Sequence, residues 1–229
     1  MKKQLLYGAA VGALTLGFGG TSFAAPPPIF NWSGFYFGGH VGWGQAEFKG
    51  TWFGNSVTQP FTQHPSGFLG GLQFGQLWQQ NTFVYGWEAD VSFMDWKKTG
   101  QFSDDGPPID TLSNRLSLLA SLRMRLGVTI EPRTFIYFTA GPAFAQAKGT
   151  AFDNFIPSTA SATFSTFGDV VGIGAELAQA NNWTWRLEGL YYYFFANKTL
   201  APPGGIDTAT DKLRDVLVVR IALNYKFGP

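Results

Sequence analysis

Bulky apolar residues recur at every second position in eight separate stretches of this chain. Phe35, Phe37, Val41 and Trp43 are separated by Tyr36, Gly38, His40 and Gly42. Phe83, Tyr85, Trp87, Ala89, Val91 and Phe93 alternate with Val84, Gly86, Glu88, Asp90 and Ser92. The same period governs 68–78, 136–145, 171–177, 183–193 and 217–227. It also governs 115–126, where Leu, Ala, Met and Arg are good helix formers but arginines two apart favour a strand. A period of two is the mark of a strand whose two faces meet different surroundings.

Composition says what those surroundings are. The second face is mostly Gly, Ala, Ser and Thr with a few charges, and only 14% of the 229 residues are charged. A soluble sheet of this area would carry Lys and Glu outside. The small face instead fits the inside of a narrow closed barrel, and the bulky face meets hydrocarbon. Turns at 79–82, 130–134 and 179–182 are short, whereas loops at 49–65, 98–111, 148–164 and 196–212 are long. The expected fold is therefore all-β: an eight-stranded antiparallel up-and-down transmembrane β-barrel. A soluble lipocalin-like barrel is the competing fold.

Lys2 and Lys3, the apolar stretch 5–20 and the small residues Ser22 and Ala24 read as a secretory signal peptide over 1–24. A short linker over 25–31 and a barrel domain over 32–229 follow. The expected location is the outer membrane, reached by export. With 16 Lys+Arg against 15 Asp+Glu, nothing in the charge calls for nucleic acid. With no cysteine, disulfides and thiolate metal sites are excluded.

Inward charges are nearly balanced. Glu88, Asp90, Glu176 and Glu188 are expected to pair with Arg123, Arg125, Arg186, Arg220 and Lys226 and plug the lumen. A charged, conducting constriction is the alternative. Aromatic girdles are expected from Trp32, Trp78, Trp183 and Phe227 at the short-turn end, and from Trp43, Trp96, Tyr193 and Phe195 toward the loops.

The stretches Asn31–Gly44, Gly67–Gly71, Tyr85–Val91, Asn181–Trp183 with Leu187–Tyr192, and Val219–Phe227 resemble the porin-like outer-membrane proteins of alphaproteobacteria. These are opacity-type barrels that include surface antigens and haemin-binding proteins. The resemblance implies outer-membrane insertion and roles in envelope integrity and surface interaction. Ile221, Leu223, Tyr225 and Phe227 match the family's C-terminal assembly signal, read by the barrel-assembly machinery through strand addition. Gly228 and Pro229 after the aromatic depart from that pattern, as do the Trp/Phe-rich first loop and the Arg/Leu-rich fourth strand.

Two histidines make no metal constellation, so neither a metal nor a cofactor is expected. His40 is placed in the lumen. His64 with Phe61 and Trp52 forms the one candidate haem site. No catalytic residues are expected; His64-Pro65-Ser66 reads as ordinary loop polarity. The expected function is structural and surface-interactive, for a monomer in contact with outer-membrane lipid and lipopolysaccharide. The alternatives are a narrow porin, a haem- or ligand-binding surface protein and, more remotely, a lipid A-modifying enzyme.

Overall fold

The computed structural model describes residues 30–54, 57–102, 110–153, 158–195, 198–200 and 208–228. The expected signal segment and most of the linker lie outside these residues. The described chain forms β1 (Gly34–Gly54), β2 (Val57–Gln63), β3 (Ser66–Gln80), β4 (Phe83–Phe102), β5 (Asp110–Glu131), β6 (Thr134–Asp153), β7 (Ser158–Ala178), β8 (Trp183–Phe194), β9 (Lys198–Leu200) and β10 (Thr208–Lys226).

All pairings are antiparallel, in the order β2-β1-β3-β4-β5-β6-β7-β8-β10-β9, and β1 also pairs with β10. That last pairing closes the sheet and removes the edges that lipid cannot satisfy. Ten segments make eight staves. β1 pairs with β3 from Gly34 to Gln45 and with β2 from Phe48 to Gly54, so β2 and β3 are one stave interrupted at His64-Pro65. Proline has no N–H for the ladder, but its carbonyl accepts from Ala46 N at 2.9 Å and carries the pairing across the break. β8 and β9 likewise line up along β10.

Two of the three short turns are built on asparagines. Asn81, Asn181 and Asn182 adopt φ of 56°, 58° and 65°, a left-handed conformation that asparagine tolerates. At the other end the strands run well past the expected membrane span. Residues 49–54, 57–63, 98–102, 148–153 and 158–164, expected as loop, belong to strands that continue the barrel outward. Backbone pairing proceeds there without the apolar signal, because beyond the bilayer the outer face meets water.

Alternation holds through the lipid belt. Phe68 (82% exposed), Phe167 (70%) and Ile173 (69%) point out, with Val41, Leu122, Phe138, Leu187 and Ile221 among their neighbours. Trp43, Trp78, Trp183, Tyr193, Phe195 and Phe227 also lie on the outer wall. Trp32 and Trp96 do not: each is 1% exposed, and both point into the lumen. Trp96 donates its indole N–H to the Phe68 carbonyl at 2.8 Å, and Trp32 packs edge-on to Phe30 and against Phe135. Position near a strand end does not place a tryptophan outside; the parity of its strand does.

Candidate functional site

The inward faces stack into layers. Trp32, Tyr36, Leu77, Val84, Phe135, Tyr137 and Ala178 form an aromatic floor near the short turns. An ionic layer lies above it. Phe48, Trp96, Leu116, Phe164, Tyr192, Phe194 and Leu213 belong to an apolar plug above that. Trp52, Phe61, Leu112 and Ala151 close the top.

The ionic layer is built around Glu88 of β4. One carboxylate oxygen meets Arg123 Nη2 of β5 and lies 3.4 Å from Arg220 Nη2 of β10. The other accepts from Arg186 Nη1 of β8 and from Tyr36 OH (2.6 Å), and lies 3.6 Å from Arg125 Nη1. Glu188 accepts from Arg123 Nη1 (3.0 Å), Tyr137 OH (2.7 Å), and Arg220 Nη2 (2.7 Å) and Nε (2.8 Å). Glu176 accepts from Arg125 Nη2 (2.6 Å), Arg186 Nε (3.1 Å), Thr184 Oγ1 (2.5 Å) and Asn224 Nδ2 (2.9 Å). Asp90 takes Arg220 Nη1 at 2.8 Å and the Ser121 hydroxyl. The Arg125 guanidinium stacks 3.9 Å from the centre of the Tyr137 ring.

Four carboxylates thus meet four guanidinium groups, and every one of these side chains is at most 3% exposed. A buried ion pair is costly unless its remaining donors and acceptors are also bonded; the tyrosines, Thr184 and Asn224 complete the carboxylates, whereas Arg123 Nε, Arg125 Nε and Arg186 Nη2 make no hydrogen bond among the described residues. Eight of the nine expected pairing residues come together here. Lys226 lies apart, near the short-turn end, with Nζ 3.0 Å from the Ser33 carbonyl and 5.6 Å from the Phe30 ring centre.

His40 is in the lumen, as its parity requires. Gln73 Nε2 donates to Asn224 Oδ1 at 2.6 Å, so Gln73 Oε1 is the acceptor for His40 Nδ1–H at 2.5 Å. That leaves His40 Nε2 to accept from the Ser92 hydroxyl at 2.8 Å. Nothing local in the sequence joins this serine and histidine, which lie far apart along the chain; the signal it does carry is their shared inward parity on β1 and β4. His64 sits on the outer wall, 3.2 Å from Glu47 Oε2. Phe61 and Trp52 are buried inside. The three residues considered for haem therefore lie on opposite sides of the barrel wall and form no common site.

The model of the outer membrane protein beta-barrel domain family matches residues 11–227. The chain belongs to this family. Among relatives of this barrel, the 31 kDa outer-membrane immunogenic protein of Brucella melitensis biotype 1 is 31% identical over 218 residues, covering 89% of this chain and 87% of that protein. The 22 kDa outer membrane protein of Rhizobium leguminosarum bv. viciae is 30% identical, covering 72% and 65%. These relatives bear out the alphaproteobacterial resemblance and place the barrel in the outer membrane. Among solved structures, a major outer membrane protein from Thermus thermophilus superposes with a TM-score of 0.52 at 13% identity, covering 83% of this chain and 99% of that one. The outer membrane protease OmpT from Escherichia coli gives 0.50 at 9%, covering 85% and 97%. At these identities the two share the barrel fold alone.

Proposed function

We propose that this outer-membrane barrel is closed to solutes and non-enzymatic, and that it works by stabilising the envelope and presenting its outer end for surface interaction. The observation that carries the reading is the span of the Glu88 contacts. Around the ring β4 and β8 are four staves apart, so the Glu88–Arg186 contact crosses the full diameter. The apolar plug above it adds a second, water-excluding barrier. A conducting constriction needs charges facing water, and these face one another. The His40–Ser92 pair is a poor acyl-transfer centre: both residues are buried, and Gln73 stands where a carboxylate would orient the imidazole. Monomeric barrels anchored by their belt and inserted by the assembly machinery through Ile221, Leu223, Tyr225 and Phe227 complete the proposal.

Planar-bilayer recording tests it. The native protein is expected to give no stable single-channel steps, while Glu88→Ala with Arg186→Ala opens the ionic layer and raises leak. Large, stable steps from the native protein would reject the closed reading.

A further inference from the structure

Register places three cations side by side on the outer wall. Lys97 of β4 pairs with Arg115 of β5, and Arg115 pairs with Lys148 of β6. All three are exposed, and paired residues share a face. Like charges directly opposite one another destabilise a sheet. Among the described residues a single carboxylate attends them: Asp95 lies 2.5 Å from Arg115 Nε. Lys97 and Lys148 reach no carboxylate among the described residues, so the row keeps a surplus of positive charge.

Two bulges build this row. The β4–β5 register shifts between Phe93 and Trp96, and the β5–β6 register between Leu116 and Leu118. The second reverses the parity of β5: Arg123 and Arg125 point in, whereas Arg115 points out and Leu116 is buried. Without it Arg115 would lie in the lumen. The pattern recurs at the β1–β10 seam, where Lys49 pairs with Lys212 and a shift beside Glu47 leaves Arg214 on the outside.

The height of the row identifies its counterpart. Exposed Phe93 lies four residues from Lys97, and Phe144 four residues from Lys148. Four residues span about 13 Å of strand, or about 10 Å along the membrane normal at a tilt of ~40°. The flexible cationic side chains thus overlook the headgroup layer of the outer leaflet.

We propose that Lys97, Arg115 and Lys148 form a binding site for the phosphate group of an outer-leaflet glycolipid headgroup. The phosphate relieves the like-charge contact, and Arg115 offers a planar donor set for it. The site rests on the barrel's outer-membrane placement and is independent of whether the lumen is closed.

The test uses the full-length protein in detergent, with heat-modifiable gel migration to show that each variant is folded. Native mass spectrometry reads retention of bisphosphorylated lipid A, of dephosphorylated lipid A, and of the former in the presence of inorganic phosphate. The variant Lys97→Gln/Arg115→Gln/Lys148→Gln is expected to hold bisphosphorylated lipid A at least about tenfold less tightly, since each interfacial cation strengthens attachment about fivefold. Lys98→Gln, an exposed lysine one residue along β4 that pairs with Asn114 and not with Arg115, is the control and is expected to bind as the native protein does. If the triple variant misfolds, Lys148→Gln alone is expected to weaken binding about fivefold. Undiminished binding by the folded variants overturns the proposal, as does equal retention of dephosphorylated lipid A by the native protein. Displacement of the lipid by equimolar inorganic phosphate would reassign the site to a free anion and overturn the lipid assignment.

Discussion

Glu88 holds together more of the lumen than any neighbour, because it faces Arg123, Arg125, Arg186 and Arg220 at once. Removing its charge while keeping its shape leaves surplus guanidinium charge in a dry interior. Glu88→Gln is expected to destabilise the barrel by about 3–5 kcal/mol, measured by urea unfolding in lipid vesicles. Asp211 gives a second expectation, above the belt. It is fully buried, and burial pushes its carboxyl up to about 7, only partly offset by the nearby Lys212 backbone and Asn114 amide. Its folded value thus lies above its unfolded one, so the protonated form is the one the fold favours. Its contribution is full below the unfolded value and is lost as pH rises toward 7. Stability is expected to fall by about 3 kcal/mol between pH 5 and pH 8 from this residue, and Asp211→Asn should flatten that dependence. An unchanged pH profile in the variant would show that Asp211 does not titrate there.

At the scale of the strand, glycine makes room for the rings that support the ionic layer. A Cβ on Gly75 would sit 2.5 Å from the Tyr36 hydroxyl oxygen, and one on Gly174 would come closer still to that of Tyr137. Those two hydroxyls donate to Glu88 and Glu188. Gly75→Ala and Gly174→Ala are therefore expected to cost about 1–3 kcal/mol each by overpacking, read as a lower unfolding midpoint on heat-modifiable gels. The bulges belong to the same scale. A strand without one keeps its parity from end to end, and β6 does so, with Tyr137, Ala145 and Ala151 all buried. β5 does not, so the alternation of Arg115, Arg123 and Arg125 read from sequence breaks at its upper end.

For the whole molecule, the closed ring turns one face of every stave to lipid. An arginine at the middle of the belt is expected to cost about 2–4 kcal/mol, and one above it almost nothing. Ile173→Arg and Thr163→Arg, both outward on β7, make that comparison in refolding experiments. Equal stabilities would place the belt elsewhere. Conductance belongs to this scale as well, since closure depends on contacts such as Glu88–Arg186 that no single stave can make.

The alternation, the short turns and the two-faced composition were enough to establish strand, barrel and belt, because each is a local consequence of a period of two beside lipid. The same parity placed Glu88, Asp90, Arg123, Arg125, Glu176, Arg186, Glu188 and Arg220 inside. What it did not contain was partnership. Which guanidinium meets which carboxylate depends on shear and on closure of β1 against β10, and these are properties of the ring. The same is true of Trp32 and Trp96, which lie near strand ends in sequence but fill the lumen, and of His64, separated by the wall from Phe61 and Trp52. By itself the sequence determined the faces of each strand up to its bulges, because between bulges a side chain's face follows from its neighbours along the chain. Only the tertiary structure decided the contacts across the barrel, because those depend on how eight staves tilt, stagger and close.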